Sequence, residues 1–415
     1  MLANNGKISV HQISRLLFIS LTARLMLFLP YVGTGMSGAE FLAAVALGIF
    51  WAFLYTGLIA GIAEYTGNSA DTGTTVRNEN PVSAPGGFTV YLQERVGRYT
   101  AYAFSILMIL FLILHLAYLA RLTGAICRLY LLPETSENTL LVCTLLAGAA
   151  TASGGRCRMA GSHMEKQEIK PQGRSADDGQ ICGRMAEIFF LPVAAALIIM
   201  LLASAGSVRL ENLSGNGSFH DAGNFDIMKI LGRSGAAAGS FFEVTLILYE
   251  LPYISRRKSR SVKTLRGAMQ KGILLTAGVL LAVFGIALGV FGESSFSRLP
   301  WPALTLMSSA SVPGGFLQRW DAVFLAVLLP GLFLAAGNAF HYLRRIAGEL
   351  LPENKSVWLT AGTFAAGTLP ALLTGSYENA AHLYFRWGLC ALVPLLAATP
   401  VFLSILERMK KKCGL

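Results

Sequence analysis

The sequence predicts an all-α membrane protein of about ten transmembrane helices. Three observations point there. Of 415 residues 54% are hydrophobic and only 14% charged, with a mean hydropathy of +0.55, whereas soluble chains carry about 25% charge. The charges avoid a series of stretches roughly twenty residues long, the length at which a helix spans the roughly 30 Å hydrocarbon core. The Lys and Arg residues between those stretches fall mostly in every second loop, on one side.

Taken in order, the spans are Ile13–Val32, Glu40–Ile62, Thr100–Ala120, Asn138–Thr151, Met185–Ala205, Gly235–Ile254, Lys271–Phe291, Ala322–His341, Ser356–Thr374 and Tyr384–Leu406. Each must be helical, because an unpaired backbone group in lipid costs several kcal/mol. The first is longer than a signal-peptide core, and no A-x-A-like cleavage site precedes the second. The fourth is short and needs flanking residues to cross. Pro330, Pro394 and Pro400 fall inside or near span ends, where proline removes a donor and kinks the helix.

Assigning the loops alternately places 25 of the 34 Lys and Arg residues on the side of the N-terminus and eight on the other, with Arg24 inside the first span. Cytoplasmic loops carry such an excess, so both termini are expected in the cytoplasm. Adding or dropping one span scrambles the bias. The net charge of +11 then needs no nucleic acid; the basic segments 256–266 and 407–412 suit anionic lipid headgroups. No cofactor and no metal site is indicated. Six cysteines without CxxC or regular spacing read as small apolar residues.

The whole chain, 1–415, reads as one polytopic membrane domain. Two polar inserts, 66–87 and 154–183, are too poor in large apolar residues to offset ordering entropy, and are expected to be flexible cytoplasmic loops. The stretch 292–321 is read as an extracytoplasmic loop with Trp301 and Trp320 as interface anchors and Pro302–Ser311 as a helix along the outer surface. Ten helices divide into five plus five, and an odd number per half inverts the second half. Repeats of that kind hold their ligand site where the first helix of each half is broken.

Charge within the membrane is the sharpest chemical signal. Arg24 sits twelfth in its span and costs about 2.5–3.5 kcal/mol at the centre on insertion scales. Too deep to snorkel, it needs a partner or water. Glu243 and Glu250 lie in the sixth span, which runs antiparallel to the first, so Arg24 and Glu243 reach similar depth. They are expected to face each other across a shared cavity or as a register-fixing ion pair. Beside Glu243, GRSGAAAGS (232–240) places Gly232, Gly235, Gly239 and Ser240 where either close helix packing or a broken helix is served. Ser20 and Thr22 add hydroxyls on the first helix, and His115 is either a proton relay or a satisfied core histidine. The candidate ligand-binding set is therefore Ser20, Thr22, Arg24, Gly235, Gly239, Ser240 and Glu243. GTGMSG (33–38) fits GxGxxG but follows a membrane helix rather than a strand, so no nucleotide site is read there. Without a Walker A, HExxH or GxSxG motif, no enzymatic activity is expected.

Several short motifs, in order, resemble those of the spore germination permeases, the B-type subunits of nutrient germinant receptors. Lys7-Ile8-Ser9 with Gln12 is similar to that family's opening, and Leu132-Pro133-Glu134-Thr135 to its motif ahead of the fourth helix. Gly183-Arg184 with Glu187 resembles the segment entering the fifth; Trp301-Pro302 and Phe316-Leu317-Gln318-Arg319-Trp320-Asp321 resemble motifs before the eighth. Where relatives carry a glycine-rich break in the first helix, this chain reads Ser20-Leu21-Thr22-Ala23-Arg24.

The resemblance implies an amino acid–polyamine–organocation superfamily fold, amino-acid permease-like and leucine-transporter-like. It implies an amino acid or similar small nutrient bound at mid-membrane between the first, third, sixth and eighth helices. It further implies A-type and C-type receptor subunits as partners, in the inner membrane of the spore of a spore-forming bacterium. Two other readings fit the residues: a proton- or sodium-coupled amino-acid permease acting alone, with Glu243 titrating, and a membrane scaffold with a degenerate site.

Overall fold

The first helix is started by its own sequence. Ser9 Oγ accepts from the Gln12 backbone N–H at 3.2 Å while Gln12 Oε1 accepts from the Ser9 N–H at 2.9 Å, a reciprocal capping box. In the computed structural model, which describes residues 8–71, 88–153, 172–209, 211–212, 226–250, 261–309, 320–350 and 356–413, it opens a wholly helical architecture among the described residues. The elements are α1 (Val10–Val32), α2 (Gly38–Asp71), α3 (Phe88–Val96), α4 (Arg98–Tyr130), α5 (Glu137–Ser153), α6 (Gln172–Ala205), α7 (Ile227–Gly239), α8 (Ile247–Glu250), α9 (Ser261–Phe291), α10 (Glu293–Phe296), α11 (Pro302–Ser309), α12 (Trp320–Leu350), α13 (Ser356–Leu373), α14 (Tyr377–Leu383) and α15 (Val393–Cys413). A 3-10 stretch, Phe242–Leu246, lies between α7 and α8, and a π-helical stretch, Tyr384–Leu392, joins α14 to α15.

Among the described residues seven helices are long and apolar enough to cross a membrane, which makes this a multi-pass membrane protein. Two further expected spans, 138–151 and 356–374, correspond to the shorter apolar helices Glu137–Ala152 and Leu359–Leu373. The span expected over 235–254 is not one helix: α7 stops at Gly239 and regular α geometry resumes only at Ile247, with 251–254 outside the described residues.

Burial sorts the helices. The apolar stretch of α1 is 83% buried and that of α6 only 22%, so α1 is the central post and α6 a peripheral one. Along α6, Ile188, Leu191, Ile198, Ile199 and Leu202 are exposed; on a membrane protein such side chains meet lipid tails, where exposure of apolar surface costs nothing. α1 packs against α9, α6 and α12, and two glycines permit the approach. A Cβ on Gly331 of α12 would fall 2.8 Å from that of Ala23, and one on Gly272 of α9 would fall 3.0 Å from the Ser14 carbonyl oxygen. In lipid, association rests on such close packing by small residues.

Several expectations are revised. Helices outrun the apolar stretches: α4 continues to Tyr130, which takes Arg121 out of the expected loop and into the interior, 1% exposed. α2 runs to Asp71 and α6 starts at Gln172, so both polar inserts are partly helical at their edges; 72–87 and 154–171 lie outside the described residues. Trp301 is buried against Tyr377 (ring centroids 5.3 Å apart) rather than anchored at an interface. The helix expected over 302–311 is present as α11, yet Pro302, Ala303, Leu304, Leu306 and Met307 are buried, because it inserts against α12 and α9 instead of lying on the surface. Lys7, 256–260 and Phe316–Arg319 lie outside the described residues, and of Trp320 only its place at the start of α12 is described. The GTGMSG segment is a turn between α1 and α2: Gly35 has φ +77°, and a Cβ on Gly38 would collide with Leu288. Cys127, Cys143 and Cys390 are free thiols.

Two of the family-like motifs meet in space. Glu187 accepts from Gln12 Nε2 at 3.1 Å and pairs with Arg15 at 3.1 Å, while a Cβ on Gly183 would press on Gln12 at 3.3 Å. These residues, 175 apart in sequence, fasten the start of α1 to α6.

Candidate functional site

The break between α7 and α8 sets up the site. Where α7 ends, its last carbonyls lose their helical partners and present the negative end of the helix dipole. Arg24, from the middle of unbroken α1, meets them: its Nη2 donates to the Ser240 carbonyl oxygen. Its Nη1 lies 3.3 Å from Glu243 Oε1 and 3.4 Å from His115 Nδ1, and donates to the Tyr384 hydroxyl at 3.2 Å. The Arg24 side chain is 1% exposed and that of Glu243 10%. A buried pair of this kind costs several kcal/mol of desolvation per ion unless the remaining donors and acceptors are met.

They are met incompletely. His115 Nε2, on α4, approaches Glu243 Oε1 to 2.7 Å. Arg24 Nε, His115 Nε2 and Glu243 Oε1 stand buried without a well-formed hydrogen bond. Such groups in a native interior mark a functional site or an ordered water.

On the side where α1 ends, the centre is roofed by aromatic rings. Tyr118 stacks on Tyr384 at 4.9 Å, and Phe28 meets both edge-on at 5.1 and 5.4 Å. Tyr384 is also the first residue of the π-helical stretch, a geometry found frequently at functional sites. On the side where α1 begins lies a cavity of about 30 Å³ bordered by Ser20, His115, Glu243, Glu250, Asn338 and His341 among apolar residues. The same cavity is bordered by part of a second charged cluster. Glu250 Oε1 lies 2.6 Å from His341 Nε2 and 3.0 Å from Arg345 Nη1, all three nearly fully buried.

Of the seven residues singled out from sequence, Arg24, Ser240 and Glu243 converge, Ser240 through its carbonyl rather than its hydroxyl, which turns back to Ala236 O at 3.0 Å. Ser20 borders the cavity. Thr22 points elsewhere, its hydroxyl 3.3 Å from that of Thr276 on α9. Gly235 faces open space on the exposed side of α7, and Gly239 packs against Val393. His115, open between two readings, stands inside the centre. Sequence reasoning missed Tyr384, Tyr118, His341 and Arg345. The tyrosines carry no charge to betray them, and the other two sit at or beyond the end of the apolar stretch of their helix. The unmet charge of Glu250 was the available signal. Among the described residues no group of three or more His, Cys, Asp or Glu is placed to hold a metal ion.

Residues 181–374 match the family model described as "Spore germination protein", so the resemblance read from short motifs is borne out over that region. The match takes in Glu243, Glu250, His341 and Arg345, while Arg24, His115 and Tyr384 fall outside it. No curated protein matches the chain in sequence. Among solved structures the chain is similar to a mutant of the manganese transporter of Eremococcus coleocola, at 13% identity and a TM-score of 0.56 over 95% of this chain and 75% of that one. It is likewise similar to the same transporter in complex with an aromatic bis-isothiourea substituted compound, at 14% identity and a TM-score of 0.52 over 95% and 76%. At such identities the likeness concerns the fold alone. The chain is a permease-like membrane protein.

Proposed function

We propose that the chain is the integral membrane subunit of a nutrient germinant receptor, binding an amino acid or similar small nutrient at mid-membrane and signalling to A-type and C-type partner subunits. The observation that carries this reading is the contact of Arg24 with the interrupted α7–α8 segment, in a chain whose residues 181–374 carry the spore germination signature. A zwitterionic ligand matches both halves of that contact. Its carboxylate competes with Glu243 for Arg24, and its ammonium competes with Arg24 for Glu243 and the Ser240 carbonyl.

The cavity beside Glu243 has about 30 Å³, room for a water or two rather than an amino acid. Binding therefore has to part α1 from the α7–α8 segment, and that displacement is the signal offered to the partners. Only a ligand with differential affinity for the two arrangements shifts their balance. In this reading the seven long helices, the two shorter ones and the interrupted segment make ten crossings. Both termini then face the cytoplasm and the membrane is the inner membrane of a spore. The test is nutrient-triggered germination with and without the chain, and with Arg24→Leu. The response is expected to disappear in the variant while membrane insertion persists; an unchanged response overturns the reading.

A second reading, a proton-coupled amino-acid permease acting alone, is favoured by the approach of His115 to Glu243. Uptake of labelled amino acid by proteoliposomes holding only this chain supports it; absence of uptake counts against it.

A further inference from the structure

The two buried clusters have the same composition. One is Arg24, Glu243 and His115; the other is Arg345, Glu250 and His341. Each sets one permanently charged guanidinium against one carboxylate and adds one imidazole. Both carboxylates belong to the one interrupted segment, seven residues apart, which at helical and 3-10 rises separates them by roughly 12 Å along the backbone. That is too far for a direct hydrogen bond.

The intervening space is not filled. The cavity of about 30 Å³ is bordered by His115 and Glu243 of one cluster, by Glu250 and His341 of the other, and by Ser20 and Asn338. A water needs about 10–15 Å³ of such room and two to four polar partners. His115 Nε2 and Glu243 Oε1, buried and lacking a well-formed hydrogen bond, supply two, and the Ser20 hydroxyl and Asn338 amide extend the path.

We propose that this cavity holds water and joins the two Arg–Glu–His clusters into one proton-sharing unit. Only O–H and N–H bonds change in the step. A proton leaves the Glu250–His341 pair for the nearest water, the water chain passes one on, and the Glu243–His115 pair takes it up. One unit of positive charge moves from one cluster to the other, and no oxidant or second reactant is involved. The groups facing Glu243 are Arg24 from α1, His115 from α4, Tyr384 from the π-helical stretch and Tyr342 from α12. Those around Glu250 are His341, Arg345 and Tyr342 from α12, with Cys182 of α6 near Tyr342. Glu349 stands beside Arg345. The inference rests on the two clusters and the cavity, and holds whichever ligand the chain takes.

The test is an infrared pH titration of the full chain in lipid vesicles, following the carboxyl band that Glu243→Gln removes. Exchanging His341→Gln is expected to move the Glu243 midpoint by about tenfold in proton activity, the size that marks coupled sites. The same exchange in a Ser20→Leu background, where an apolar side chain fills the cavity, is expected to leave the midpoint in place. Ala339→Val fills the same cavity should Ser20→Leu fail to fold. An equal shift with the cavity filled means direct electrostatics and overturns the proposal, as does no shift in either background.

Discussion

α1 and the α7–α8 segment would be counterparts in a five-plus-five fold, and they are built in opposite ways. α1 runs as one helix of 23 residues with a charged side chain at its middle. The other segment stops after the 13 residues of α7 and offers backbone carbonyls and a carboxylate in the gap. A break exposes polar backbone that must find partners inside the membrane, and a buried arginine must find acceptors. Each supplies what the other lacks. Where relatives are expected to break the first helix as well, this chain places the guanidinium of Arg24 there instead, which couples the register of α1 to the geometry of the gap.

Removing the charge from α1 is the most damaging way to break that pairing. Arg24→Leu leaves Glu243 buried without its guanidinium partner, and is expected to cost about 3–5 kcal/mol of stability, read as a lowered unfolding temperature in detergent. Gly331→Leu attacks the same helix from outside, because its side chain meets Ala23 and Ile19 of α1 at once; about 1–3 kcal/mol is expected from overpacking. Tyr384→Phe deletes one acceptor of Arg24 and is expected to cost about 1 kcal/mol, with the fold unchanged by circular dichroism. Thr22→Val sharpens the contrast from the other side: its hydroxyl faces Thr276 and not the gap, so under about 1 kcal/mol is expected, with any ligand response intact. If Thr22→Val instead abolished the response while Tyr384→Phe left it whole, the site would have to be moved toward α9.

How much of this was legible in the sequence follows from where charge is costly. Arg24 and Glu243 stand out because no other charged residue lies close to them in the chain, and topology alone brought them to one depth. The gap was foreshadowed by the small residues 235–240 but not located, since Gly239 and Ser240 serve close packing as well as a break. Tyr384 and Tyr118 were invisible because a tyrosine in an apolar run looks like any other aromatic residue. Arg121 was misplaced for a different reason. Hydropathy falls before α4 ends, yet the side chain reaches inward, donating from Nε to Ala371 O at 2.6 Å and from Nη2 to Leu372 O at 3.1 Å. It satisfies the end of α13, a partnership 250 residues away that no local pattern announces. The motifs around Gln12 and Glu187 were readable as text; that they form one contact was not.

The pairing of α1 with the gap is tested most directly by a double-mutant cycle of unfolding free energies with Arg24→Leu, Glu243→Gln and both together. A coupling of about 2 kcal/mol or more is expected, the double variant being far less damaged than the sum of the single ones. Additivity to within about 0.5 kcal/mol would mean that Arg24 and Glu243 do not depend on each other, and would contradict the assignment.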